Sequence, residues 1–156
     1  MAKPGQAHAD MIATLVAEGF LRIVEGKLPA KVSVEAVPLN DEEKARIRAA
    51  PEALVVFYPV EETGVFLQLG KSRAVAWYDG VDCSVAVPTL ERALKAAHSS
   101  LKFVSETPHS DTPGVNVRIY RVEPDAKHYV DLEVMHPAGK TARQQFMVRM
   151  TAWERI

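Results

Sequence analysis

With 156 residues, 47% of them hydrophobic and 25% charged, the chain has the make-up of one globular domain over residues 1–156. A domain of that size buries about 70% of its unfolded surface and needs no disulfide or metal staple. The 19 basic and 20 acidic residues leave a formal charge of −1, which argues against nucleic acid as a main partner, because phosphate binding requires a dense positive face. No apolar run approaches the roughly 20 residues of a membrane span, the N-terminal segment carries charges unlike a signal-peptide core, and the single cysteine forms no internal disulfide; the expectation is a cytoplasmic protein with no membrane partner.

Gln6 to Lys27 places Met11, Ile12, Leu15, Val16, Phe20, Ile23 and Val24 on one helical stripe, with Gly26 and Pro29 positioned to end it. Gly19 interrupts that helix and is expected to allow close packing on a sheet. Lys31 to Val37 alternates as a short strand. Asn40, with Glu43 three residues on, predicts a capping box at the start of a polar surface helix that Pro51 closes. Acidic residues crowd the first turn of that helix and basic ones its end, as the helix dipole favours.

Ala53 to Val60 is a continuous apolar run, expected as a strand covered on both faces. Val65–Leu69 and Arg73–Tyr78 form a hairpin around Gly70-Lys71-Ser72, and Asp79-Gly80 marks the next turn. Cys83 to Val87 is expected as a short extended piece, Pro88 to His98 as a helix, Leu101 to Glu106 as a strand, and Thr107 to Gly114 as a loop.

The last third reads as a three-stranded meander. Val115 to Val122 and Lys127 to Met135 both alternate, and Arg143 to Trp153 returns with Phe146, Val148 and Met150 inward. Pairing Val122 with Lys127 sets Tyr120 against Tyr129, Arg118 against Asp131 and Asn116 against Glu133, with Val117 and Ile119 joining Val130 and Leu132 on the apolar face. The whole predicts an α+β fold: a curved, mainly antiparallel sheet of about six or seven strands, packed on the N-terminal and mid-chain helices and ending in the meander.

Motifs for chemistry are weak. Gly70-Lys71-Ser72 has the tail of a phosphate-binding loop, but the expected upstream glycine position is Val65 and the intervening residues follow a strand pattern, so a hairpin turn is the better reading. His109-Ser110-Asp111 has hydrolase residue types, yet neighbours in sequence cannot align as a relay. Cys83 is a candidate nucleophile whose neighbours Asp79 and Asp82 would oppose thiolate formation. Asp131 and Glu133 share a strand face and could serve acid–base chemistry, but a salt-bridged sheet face with Arg118 and Arg149 as counterions is the better reading. His128 and His136 flank an apolar row with no metal-ligand spacing, so no metal and no cofactor is expected.

Two functions follow as expectations. The first is a non-catalytic module that dimerises or binds a protein or small ligand through an outer sheet face carrying Tyr120, Tyr129, Met147 and Arg149, residue types enriched at interfaces. The alternative is a small hydrolase-like or metal-assisted enzyme, with a pocket between sheet and helices drawing on Asp131, Glu133, His128, His109 and Cys83.

Overall fold

The computed structural model describes residues 3–30, 32, 34–139 and 145–156. One antiparallel sheet of eight strands carries its two longer helices on one face. The elements run α1 (Gln6–Val24), β1 (Val37–Pro38), α2 (Asp41–Arg46), β2 (Leu54–Val60), β3 (Thr63–Leu69), β4 (Arg73–Asp79), α3 (Ala86–Ala97), β5 (Lys102–Pro108), β6 (Val115–Val122), β7 (His128–Pro137) and β8 (Gln145–Glu154). The spatial order is β1-β2-β3-β4-β8-β7-β6-β5. Two meanders thus meet where β4 pairs with β8, Val75 lying opposite Arg149 and Trp77 opposite Met147.

The α+β architecture is the one the sequence predicts, with eight strands in place of six or seven. The expected Leu101–Glu106 strand is the edge strand β5, which continues through Pro108 into the expected loop, and β1 is only two residues long. Of the Lys31–Val37 segment, Lys31 and Ser33 lie outside the described residues, and the strand begins only at Val37. Arg143, the expected start of the last strand, also lies outside them. Cys83 to Val87 is not extended: a turn leads into α3 at Ala86, and Pro88 sits in the first helical turn, where its missing N–H has no partner to lose.

Apolar alternation decides which face the helices cover. Val56, Tyr58, Leu67, Leu69, Tyr78, Phe146, Val148 and Met150 point inward and are buried, against Ile12, Leu15, Val16, Phe20 and Ile23 of α1. Beside Tyr78, the inward residues of β4 are Ala74 and Ala76, small enough for α1 to lie close to the strand it packs on most. α3 packs mainly on α1, through Leu90 and Leu94. The expected role of Gly19 is corrected: a Cβ there would lie 3.0 Å from the ring of Pro29, so the close approach is to the chain just after α1 and not to the sheet. Asn40 caps α2 through the predicted box, its side chain accepting from the Glu43 N–H at 2.9 Å while Glu43 accepts from the Asn40 N–H at 3.1 Å. The helix ends at Arg46, before Pro51, as Arg48 takes a left-handed conformation (φ 60°).

The predicted meander register is wrong by three residues. Val122 pairs with Val130, Tyr120 with Leu132, Arg121 with Asp131, Ile119 with Glu133 and Arg118 with Val134. An odd shift turns a strand over. Tyr120 and Val122 therefore point inward and are buried, whereas Val115, Val117 and Ile119 lie on the outer face and are only part-buried. β7 and β8 keep their expected faces, with Val130, Leu132, Val134, Phe146, Val148 and Met150 inward.

Candidate functional site

Because helices cover one face of the sheet, the outer face is clothed only by its own alternating side chains and by α2. Three rows of cross-strand neighbours define its centre. Asp79 on β4 lies opposite Gln145 on β8. Next come Phe66, Trp77 and Met147 on β3, β4 and β8, and then Gln68, Val75 and Arg149. The end of α2 overhangs these rows, so that Arg46, Ile47 and Arg48 complete a groove of about 630 Å³.

The floor of the groove is aromatic. Phe66 and Trp77 stack with ring centroids 5.2 Å apart and planes 16° from parallel, and Phe57 continues the series 5.0 Å from Phe66. The rim is cationic: Arg46, Arg48 and Arg149 against the single carboxylate Asp79, in a chain whose formal charge is −1. Arg46 is held by Glu42 at 2.9 Å. Arg149 meets Glu133 at 3.7 Å, both side chains well exposed, a contact worth about 0–1 kcal/mol. Arg48 and Asp79 have no ion-pair partner among the described residues. Among the described residues the lining holds no histidine, cysteine, serine or second carboxylate, so Asp79 has no acid–base partner there.

The expected interface residues divide between the two faces. Met147 and Arg149 line this groove, and Tyr129 lies farther along the outer face, opposite Trp153, with the Arg121 guanidinium 4.2 Å from its ring centroid. Tyr120 is on the other face and 2% exposed. There it donates to Glu91 of α3, which also receives Arg118 at 3.1 Å. Arg118 reaches Glu106 at 3.3 Å, and His136 lies 3.1 Å from the same Glu106 oxygen. The Tyr120 hydroxyl, with help from Lys95 and Arg118, holds the Glu91 carboxyl down at about 2, while burial and the facing carboxylate push Tyr120 up to about 12. This network ties α3 to β5 and β6 where α1 no longer covers the sheet.

The expected catalytic residues are scattered. Asp131 is bound by Arg121 through two hydrogen bonds, and Glu133 faces Arg149. His109 accepts the N–H groups of Asp111 and Thr112 in its own loop. Cys83 is buried, and burial first, then Asp82 and Asp79, push its thiol up to about 11 despite a hydrogen bond with Tyr78. His128 lines a separate groove of about 720 Å³ beyond the end of α1, together with Ser72 and Asp125, and Asp125 holds its Nδ1 at 3.0 Å. Among the described residues no group of three or more His, Cys, Asp or Glu side chains could hold a metal ion. The described helices include none long and apolar enough to cross a membrane.

Sequence reasoning missed Arg46, Arg48, Phe66, Asp79 and Gln145 as site residues. Arg46 and Arg48 read as the dipole-matched end of a surface helix, Phe66 meets Trp77 across β3 and β4, and Asp79 and Gln145 become neighbours only through the pairing of β4 with β8. Comparison with protein-family models, with curated proteins and with solved structures gave no match.

Proposed function

We propose that the protein is a non-catalytic binding module that takes a small ligand with an apolar body and an anionic group in the groove under α2. The observation that carries this reading is the stacked Phe66–Trp77 floor beneath a rim of three arginines and one carboxylate. A concavity of about 630 Å³ has the size of a small-molecule site, lined by apolar side chains with a few convergent polar groups. Guanidinium forks suit carboxylate or phosphate, and Arg48 and Arg149 are the two least committed to other partners. The lone Cys83 supports a cytoplasmic location.

4-Phenylbutyrate is a suitable probe, having a ring, a short apolar stem and a carboxylate. In a Trp153→Phe background Trp77 is the sole tryptophan and reports on the groove floor. Saturable quenching with Kd about 1 mM or tighter is expected. Loss of that quenching in the Arg48→Ala/Arg149→Ala double variant supports the reading; no saturable response in the parent overturns it.

A second reading rests on the other groove. Asp125 fixes the His128 ring, leaving Nε2 open to act as a base toward Ser72, which lines the same groove in a left-handed conformation (φ 60°). This is the hydrolase-like alternative. It is the weaker one, because Asp125 also accepts the N–H groups of Lys127 and His128 and so is explained by the turn it closes. Turnover of a short-chain p-nitrophenyl ester that Ser72→Ala and His128→Asn both abolish would establish it, and equal background rates in all three proteins would remove it.

A further inference from the structure

The order of the rows in the groove says more about the ligand. An acidic end (Asp79), an apolar middle (Trp77, Met147) and a cationic end (Arg149) follow one another along the strands. We infer that the groove takes a short peptide with both termini free, its ammonium at Asp79 and its carboxylate at Arg149. This rests on the binding reading above and names the ligand class for it.

The span sets the length. Asp79 to Val75, and Gln145 to Arg149, are each four residues of strand, about 13–14 Å between Cα atoms. An extended peptide covers about 3.3–3.6 Å per residue, so three or four residues fill the distance. A longer ligand would carry one charged end past its partner, and a single amino acid would reach only one. The middle row is apolar across all three strands, so the central side chain that meets Trp77 and Phe66 is aromatic or aliphatic. Gln68 and Gln145 stand in the outer rows, where their amides can both donate to and accept from a peptide backbone. A simple anion at Arg149 would leave Asp79 without a partner in the same groove, whereas a ligand ammonium supplies one.

The test compares Ala-Phe-Ala with free termini, its N-acetylated form and its C-amidated form by calorimetry, beside 4-phenylbutyrate. The free tripeptide should bind about tenfold tighter than either capped form, the effect of one charge-assisted hydrogen bond. Asp79→Asn should abolish the preference for the free amine and leave 4-phenylbutyrate binding as strong or stronger. Arg149→Ala should abolish the preference for the free carboxylate. If free and N-acetylated peptides bind alike while 4-phenylbutyrate still binds, this inference fails and the binding reading survives. If neither peptide nor 4-phenylbutyrate binds, both fail.

Discussion

Arg121 and Asp131 face each other across β6 and β7, with Nε 2.8 Å from one carboxylate oxygen and Nη2 3.3 Å from the other. The pair is part-buried but reached by solvent from the Arg121 side, which limits it to about 0.2–1 kcal/mol. A double-mutant cycle of Arg121→Ala and Asp131→Ala in urea should return a coupling in that range, and the cycle of Arg118→Ala with Asp131→Ala should return none. A coupling confined to Arg118 and Asp131 would mean that the strands pair in the register three residues away.

The register shows how far the sequence was legible. Each strand of the meander was visible, because alternation is local. Their relative offset was not, because it depends on what lies beyond the pair. Pairing like with like placed Arg118 opposite Asp131, and that choice ignored Glu91, a carboxylate on α3 that makes an inward-facing Arg118 tolerable. In the same way Phe66 and Trp77 were visible as strand residues, but the groove they floor needs β8, more than sixty residues later in the chain. Asn40 and Glu43 were read correctly since a capping box is closed within three residues.

Arg118 bridges two carboxylates, Glu91 and Glu106, with its guanidinium 4.3 Å from the Phe103 ring centroid. Arg118→Ala leaves both acids without that cation in a part-buried setting and should cost about 1–3 kcal/mol. Arg121→Ala removes one carboxylate contact where Arg118→Ala removes two, and should cost about 1 kcal/mol or less. Urea midpoints compare the two, and equal losses would show that the inward network contributes no more than the single Arg121–Asp131 pair.

Gly64 is paired with Pro59 on the β2–β3 hairpin, where a Cβ would come within 2.3 Å of the Phe57 ring and 2.4 Å of the Tyr58 carbonyl oxygen. The carbonyl is backbone and cannot swing aside. Gly64→Ala should destabilise by about 1–3 kcal/mol, the range for overpacking. Gly80→Ala, with open space around its Cβ but φ at 79°, should cost less, about 1 kcal/mol. Thermal melts of the two variants decide the order.

Acid should weaken the fold in two stages. Burial lowers the pKa of His8, only partly offset by Glu61, so the unfolded chain takes up a proton more readily than the folded one. The stability His8 contributes is complete above its ordinary value near 6.5 and is lost as pH falls through its lowered folded value. Glu91 is held at about 2 in the fold, so its contribution is complete above the ordinary carboxylate value of 4.5 and is lost between 4.5 and about 2. Urea midpoints across pH should lose the upper stage in His8→Gln and the lower stage in Glu91→Gln. An unchanged profile in either variant would contradict the assignment to that residue.

Cys83 is 5% exposed and its thiol is raised to about 11. At pH 8 it should resist iodoacetamide in the native protein and react readily in urea, since the thiolate is the reactive form. Comparable labelling with and without denaturant would place the thiol at the surface.

The seam between β4 and β8 also bears on synthesis. β4 needs a partner that begins at Gln145, so its edge stays open while about seventy more residues are made, roughly 4–14 s at about 5–20 residues per second. During that interval the nascent chain presents Ala74, Ala76 and Tyr78 on an unclosed strand, a state in which holdase capture or strand exchange with a second nascent chain competes with folding.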